Sequence, residues 1–171
     1  MVTTTTRPVL LTCSSVGLSA VTVLQPDLPD AVAQMRQAIA EAAVACDLQR
    51  LVALALDGPE DFFYGIGYIG DASDFWYQKE VEGEEPMRLL VCLLNLPYAP
   101  TSILEDGATW YKWPTASEVP WAELTESERD ALRVCIGEDR YYWAERYSEY
   151  LGPRLTISGS GDWLSFVLGG D

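Results

Sequence analysis

Tyr150-Leu-Gly-Pro-Arg-Leu-Thr-Ile-Ser-Gly-Ser-Gly-Asp-Trp-Leu-Ser-Phe-Val-Leu-Gly-Gly-Asp171 closes the chain, and its reading decides the fold. Two short apolar runs, Arg154–Ser158 and Trp163–Leu168, flank a Ser/Gly/Asp loop. That pattern predicts a β-hairpin. A hairpin with apolar residues on both strands needs a surface to cover it. The terminus is therefore expected inside the folded domain, where it completes a sheet.

Working back from the hairpin, Glu138 to Tyr150 reads as a helix stopped by Gly152-Pro153. Thr125-Glu-Ser-Glu128 is a capping-box pattern opening a helix through Val134. Thr109-Trp-Tyr-Lys-Trp113, ahead of Pro114, has the aromatic and β-branched content of a strand. Pro86 opens a helix over Met87–Leu96, and Asp74 is placed to cap another over Phe75–Glu82. Phe62-Phe-Tyr-Gly-Ile-Gly-Tyr-Ile69 alternates as a strand, with Phe62, Tyr64, Ile66 and Tyr68 on one face. Two glycines on its other face, Gly65 and Gly67, would let a helix approach closely. Asp47 caps Leu48–Leu56. Asp27-Leu-Pro-Asp30 starts the first helix, whose stripe is Val32, Met35, Ile39, Ala42 and Cys46.

The resulting order is helix pair, strand, helix pair, strand, helix pair, hairpin. It predicts an α+β domain: a small, mainly antiparallel sheet closed by the C-terminal hairpin and packed against several helices. Gly65-x-Gly67 falls inside a strand and matches only part of a dinucleotide fingerprint, so a doubly wound fold is not expected. The boundaries are a leader or poorly ordered segment over residues 1–26 and one domain over residues 27–171.

The 171 residues include 26 acids and 11 bases, a formal charge of −15. Such a field repels phosphate backbones and anionic lipid heads, which argues against nucleic acid as a partner. No segment is long and apolar enough to span a bilayer. Histidine is absent, which excludes Ser-His-Asp and Cys-His catalysis and histidine-based metal sites. No cofactor is implied. Cys13, Cys46, Cys92 and Cys135 have no zinc spacing. The last three sit in apolar helical segments, where a buried free thiol is the expectation and a disulfide the alternative.

Val9-Leu-Leu-Thr-Cys13-Ser-Ser15 resembles a bacterial lipoprotein cleavage box, with Cys13 as the lipidated residue. Thr12 is larger than the usual residue before that cysteine, and Arg7 is the single basic residue ahead of it. A plain strand or a disordered leader fits the same residues.

Phe62-Phe-Tyr-Gly-Ile-Gly67, Tyr111-Lys-Trp-Pro114 and the terminal hairpin together resemble a group of uncharacterised bacterial proteins. These end in Tyr-Leu-Gly-x-Arg followed by Trp-x-x-Phe-Val-x-Gly-Asp, and many are exported or lipoprotein-like. The resemblance spans roughly residues 30–171 and implies a shared fold and the cell envelope. It implies no catalytic residues.

Three constellations carry functional expectations. Tyr64, Tyr68, Trp110, Trp113 and Trp163 could line an aromatic sheet face that takes a glycan, a peptide or an apolar small molecule, with helix-covered core as the plainer reading. Asp57, Glu60, Asp61, Asp71 and Asp74 bracket the first strand, where two carboxylates could serve a glycoside hydrolase or a cation; helix caps and surface charge explain them more simply. Arg154 beside Asp162 and Asp171 reads as an ion pair across the hairpin. The leading functional expectation is a non-enzymatic envelope or interaction domain. The alternatives are a carboxylate-based hydrolase and a cytoplasmic acidic protein with a basic partner.

Overall fold

The computed structural model describes residues 13–58, 61–65, 71–102 and 107–169. Among them are six helices and four strands. The helices are α1 (Asp30–Val44), α2 (Leu48–Leu56), α3 (Ala72–Val81), α4 (Pro86–Leu94), α5 (Glu126–Ile136) and α6 (Glu138–Tyr147). The strands are β1 (Ala99–Ser102), β2 (Thr109–Trp113), β3 (Arg154–Ser158) and β4 (Trp163–Val167). All pairings in the sheet are antiparallel and its order is β1-β2-β3-β4. The α+β expectation holds, and the C-terminal hairpin is packed against helices; the sheet itself is open, not closed.

Local chemistry sets several helix starts. Asp47 accepts from the Arg50 amide at α2, and Thr125 and Glu128 form the reciprocal capping box of α5, each satisfying amides with no intrahelical partner. The first helix starts at Asp30, behind Pro29, with no side-chain cap. Asp71, not Asp74, caps α3 by accepting from the Ser73 amide. Asp74 lies in the first turn instead, where a negative charge favours the helix dipole. Glu80, from α3, accepts from the Met87 amide at the start of α4. The last predicted helix stops at Tyr147 because Ser148 turns left-handed, with φ 53°.

The sheet alternates except at the β3–β4 register shift between Thr156 and Ile157, which leaves Trp163 and Phe166 on one side although they stand three residues apart. Tyr111, Trp113, Leu155, Ile157, Trp163 and Phe166 take the helix-facing side, while Trp110, Lys112, Thr156 and Ser165 share the other. Against the inner side lie α1, α2 and α4, with Ile39, Leu51, Leu89, Leu90, Leu93 and Leu94 fully buried. The predicted stripe of α1 shifts slightly: Arg36 is buried while Met35 is only partly so. The Arg36 guanidinium donates to the Leu94 and Val23 carbonyls, and burial lowers its pKa.

Two strand readings need correction. β1 has no counterpart among the expected strands; its Pro100 is accommodated at the sheet edge, where β1 has a neighbour on one side only. The expected strand over Phe62–Ile69 is, within the described residues 61–65, one parallel bridge. Phe63 donates to the Leu164 carbonyl and accepts from the Phe166 amide on β4. Its alternation holds, since Phe62 turns inward to Trp76 and Trp163 while Phe63 stays exposed. Gly65 faces α3, where an added Cβ would meet the Phe75 ring at 4.0 Å. Residues 66–69 lie outside the described part.

The segment expected as a leader is, over residues 13–26, fastened to the domain. Asn95 accepts from the Thr22 and Val23 amides and donates to the Ala20 carbonyl. Gln25 donates to the Leu96 carbonyl and accepts from the Trp113 indole. Ser14 binds Glu80 through its amide and hydroxyl. The four cysteines are not free thiols: Cys13 pairs with Cys46 and Cys92 with Cys135, at Cα separations of 6.3 and 5.7 Å, the ordinary range for a disulfide. Partners more than thirty residues apart in sequence are brought together by packing, which spacing alone did not reveal.

At the hairpin turn, Gly161 has φ 94°, and a Cβ there would lie 2.8 Å from the Ala31 carbonyl of α1. Only glycine meets both demands. Just before the hairpin, Tyr150 is buried and its hydroxyl donates to the Pro153 carbonyl. Desolvation pushes this phenol well above the ordinary value of 10.0. The folded state therefore keeps a proton that the unfolded chain loses near that pH, so stability is full below about pH 10 and falls as the pH rises beyond it. Tyr98, also raised mainly by burial, acts in the same sense. Urea midpoints measured from neutral to strongly alkaline pH should show this fall, and Tyr150→Phe should flatten it. An equally steep fall in that variant would contradict the assignment.

Candidate functional site

The five aromatic residues expected to share a sheet face do not share one. Trp113 and Trp163 are core residues, 0% and 1% exposed. Trp163 packs on Phe62 and Trp76, with ring centroids 4.8 and 5.6 Å away. Trp113 packs on Tyr98 at 5.5 Å. Trp110 lies on the opposite side of the sheet, half-buried, with the Lys112 ammonium 6.0 Å from its ring. The separation follows from strand geometry: residues three apart point to opposite faces. Tyr64 sits apart beside Phe75, 5.5 Å between centroids, and Tyr68 lies outside the described residues.

Asp61 and Asp71 do meet Tyr64 at the rim of one cleft, of about 330 Å³, between α2 and the start of α3. Both carboxylates are exposed. A catalytic acid needs a desolvated, raised carboxyl. Away from this cleft, Glu41 is lowered chiefly by a hydrogen bond from Gln37, and Glu82 by one from Lys79. Asp57 is exposed and Glu60 lies outside the described residues. Among the described residues, no group of three or more acids or cysteines is arranged to hold a metal ion. No helix among them is long and apolar enough to cross a membrane.

Among the described residues, Arg154 and Asp162 of the expected hairpin ion pair do not meet. Asp162 accepts from the Ser158 and Ser160 hydroxyls in the turn, and Arg154, at the far end of β3, donates to the Gly152 carbonyl. Asp171 lies outside the described residues. The Cys13 sulfur is bonded to Cys46, so in this structure it is not available for a lipid thioether.

The feature sequence reading passed over is the outer face of α6. Tyr141 and Ala144 face the core, while Tyr142, Trp143 and Tyr147 are 52%, 52% and 63% exposed. The Trp143 and Tyr147 rings, one helical turn apart, lie nearly parallel, 14° between planes and 5.8 Å between centroids. Tyr142 meets Trp143 edge to face at 5.4 Å. The Trp143 and Tyr147 rings border an open cleft of about 380 Å³ that is also lined by Leu151, Gly152, Leu168 and Gly169. The Glu84–Arg140 ion pair (2.6 Å) and Glu149 also line it.

A signal for this face was present. Tyr141, Tyr142, Trp143 and Tyr147 supply more aromatic surface than one buried stripe of a ten-residue helix accommodates. Exposed aromatic rings grouped with an adjoining apolar wall are the mark of a binding surface. The chain matches no known family model, no curated protein and no solved structure.

Proposed function

We propose that the protein is a non-enzymatic interaction domain of an oxidising compartment such as the bacterial cell envelope, and that it engages its partner through α6. The single observation that carries this reading is the exposed Tyr142–Trp143–Tyr147 ridge beside an open cleft. Large aromatic side chains provide much contact area for little conformational entropy, which is why interfaces are rich in them. The two disulfides support the compartment, since such crosslinks persist where thiols are not kept reduced. The resemblance of the C-terminal segment to exported bacterial proteins points the same way.

Indole NMR tests this reading. Titration with a panel of oligosaccharides and peptides should move the Trp143 indole signal and leave those of the buried Trp76, Trp113 and Trp163 in place. A panel in which no member shifts Trp143 would overturn the α6 assignment. So would turnover of a glycoside that depends on Asp61 or Asp71.

A further inference from the structure

We infer that the α6 cleft receives a cationic peptide segment of a protein partner, with an arginine side chain over the Trp143 and Tyr147 rings and paired to Glu149. The inference rests on the α6 reading and names the chemistry of its occupant.

Charge is the first argument. A protein of net charge −15 attracts basic partners over distance and repels anionic ones. Within the cleft the fixed cation is already neutralised, because the Arg140 guanidinium donates to the Glu84 carboxylate and also reaches the Glu84 backbone carbonyl. Glu149 is different: among the described residues its carboxylate has neither an ion-pair nor a hydrogen-bond partner. Of the charged residues lining the cleft, Glu149 is therefore the one without a partner of opposite sign, while the Arg146 guanidinium, which donates to the Tyr142 hydroxyl, lies outside that lining.

Ring chemistry is the second. The π-face of tryptophan or tyrosine attracts a cation, and a guanidinium also stacks on it as a flat group. This part of the fold already places guanidinium groups over aromatic rings. Arg146 lies 5.8 Å from the Trp143 ring centre and Arg133 lies 4.6 Å from that of Tyr141. A neutral sugar could stack on the same rings, but it would leave Glu149 without a counter-charge and gain nothing from the field of the whole molecule.

The test uses three probes on the intact, oxidised chain: a short blocked peptide alternating glycine and arginine, the same peptide with neutral citrulline for arginine, and maltohexaose. The arginine peptide should shift the Trp143 indole, and its affinity should drop as salt is raised. The citrulline peptide should bind at least about tenfold more weakly. Glu149→Gln should weaken arginine-peptide binding several-fold at an unchanged melting temperature, and Trp143→Ala with Tyr147→Ala should abolish it. Equal binding of the arginine and citrulline peptides, or a Trp143 shift with maltohexaose alone, would overturn the cationic occupant while leaving the α6 interaction reading intact. Arginine-peptide binding that survives the double alanine variant would also overturn it, by tracing the attraction to general surface charge.

Discussion

Replacement of both Cys92 and Cys135 by alanine is expected to lower the stability of the protein by about 4 kcal/mol, from the loop-closure entropy restored to the unfolded chain. The two positions are 43 residues apart and tie α4 to α5. Without the crosslink the unfolded ensemble expands, so the urea midpoint should fall and the slope of the transition should steepen. Little else changes, because Cys135 is buried and Cys92 partly so, and alanine keeps both positions small and apolar. The Cys13–Cys46 crosslink encloses a shorter loop, 33 residues in separation, and its removal should cost slightly less. A loss below about 1 kcal/mol for the Cys92–Cys135 pair would mean the crosslink does not constrain the unfolded chain in this way. So would ready alkylation of those thiols in unreduced, denatured protein.

The second large effect is at the buried aromatic cluster. Trp163→Ala should destabilise by about 3–5 kcal/mol, the range for deleting a large aromatic side chain from a core that relaxes only partly. Trp163 lies between Phe62 and Trp76, and its indole donates to the Ser165 carbonyl beside the register shift of the hairpin. Phe166, fully buried, also borders the Trp76 ring at 6.2 Å. No single neighbour can fill the space. Trp143→Ala on α6 should stay within about 0.5 kcal/mol, since its ring is half exposed and holds no core position. Urea unfolding of the two variants side by side checks both figures. Equal costs would mean that Trp163 is not the centre of the core.

The contrast between these tryptophans shows where sequence reading succeeded and failed. The aromatic set was gathered on the expectation of neighbouring strands, but Trp110 and Trp113 stand three residues apart on one strand and so face opposite ways. Trp163 and Trp113, two of the expected ligand-binding residues, are among the most buried in the protein. The rings left bare, Trp143 and Tyr147, lie on a helix to which the sequence attaches no functional expectation. Hydrophobicity and helical period showed that α6 exists; they did not show which aromatic line of the helix the core would leave uncovered.

What the amino-acid order determined by itself was local. Asp47 before an apolar run, the Thr125–Glu128 reciprocal cap and the Ser/Gly/Asp turn before Trp163 each act within a few residues. The extent of α2, the start of α5 and the hairpin were therefore legible, as was the α+β class. Tertiary structure alone decided which thiols meet, that Ala99–Ser102 joins the sheet as an edge strand, that residues 13–26 fasten to the domain, and which aromatic faces stay in solvent. The physical reason is the same in each case: these outcomes depend on groups distant in sequence whose mutual burial is settled only when helices and sheet compete for the same apolar surface.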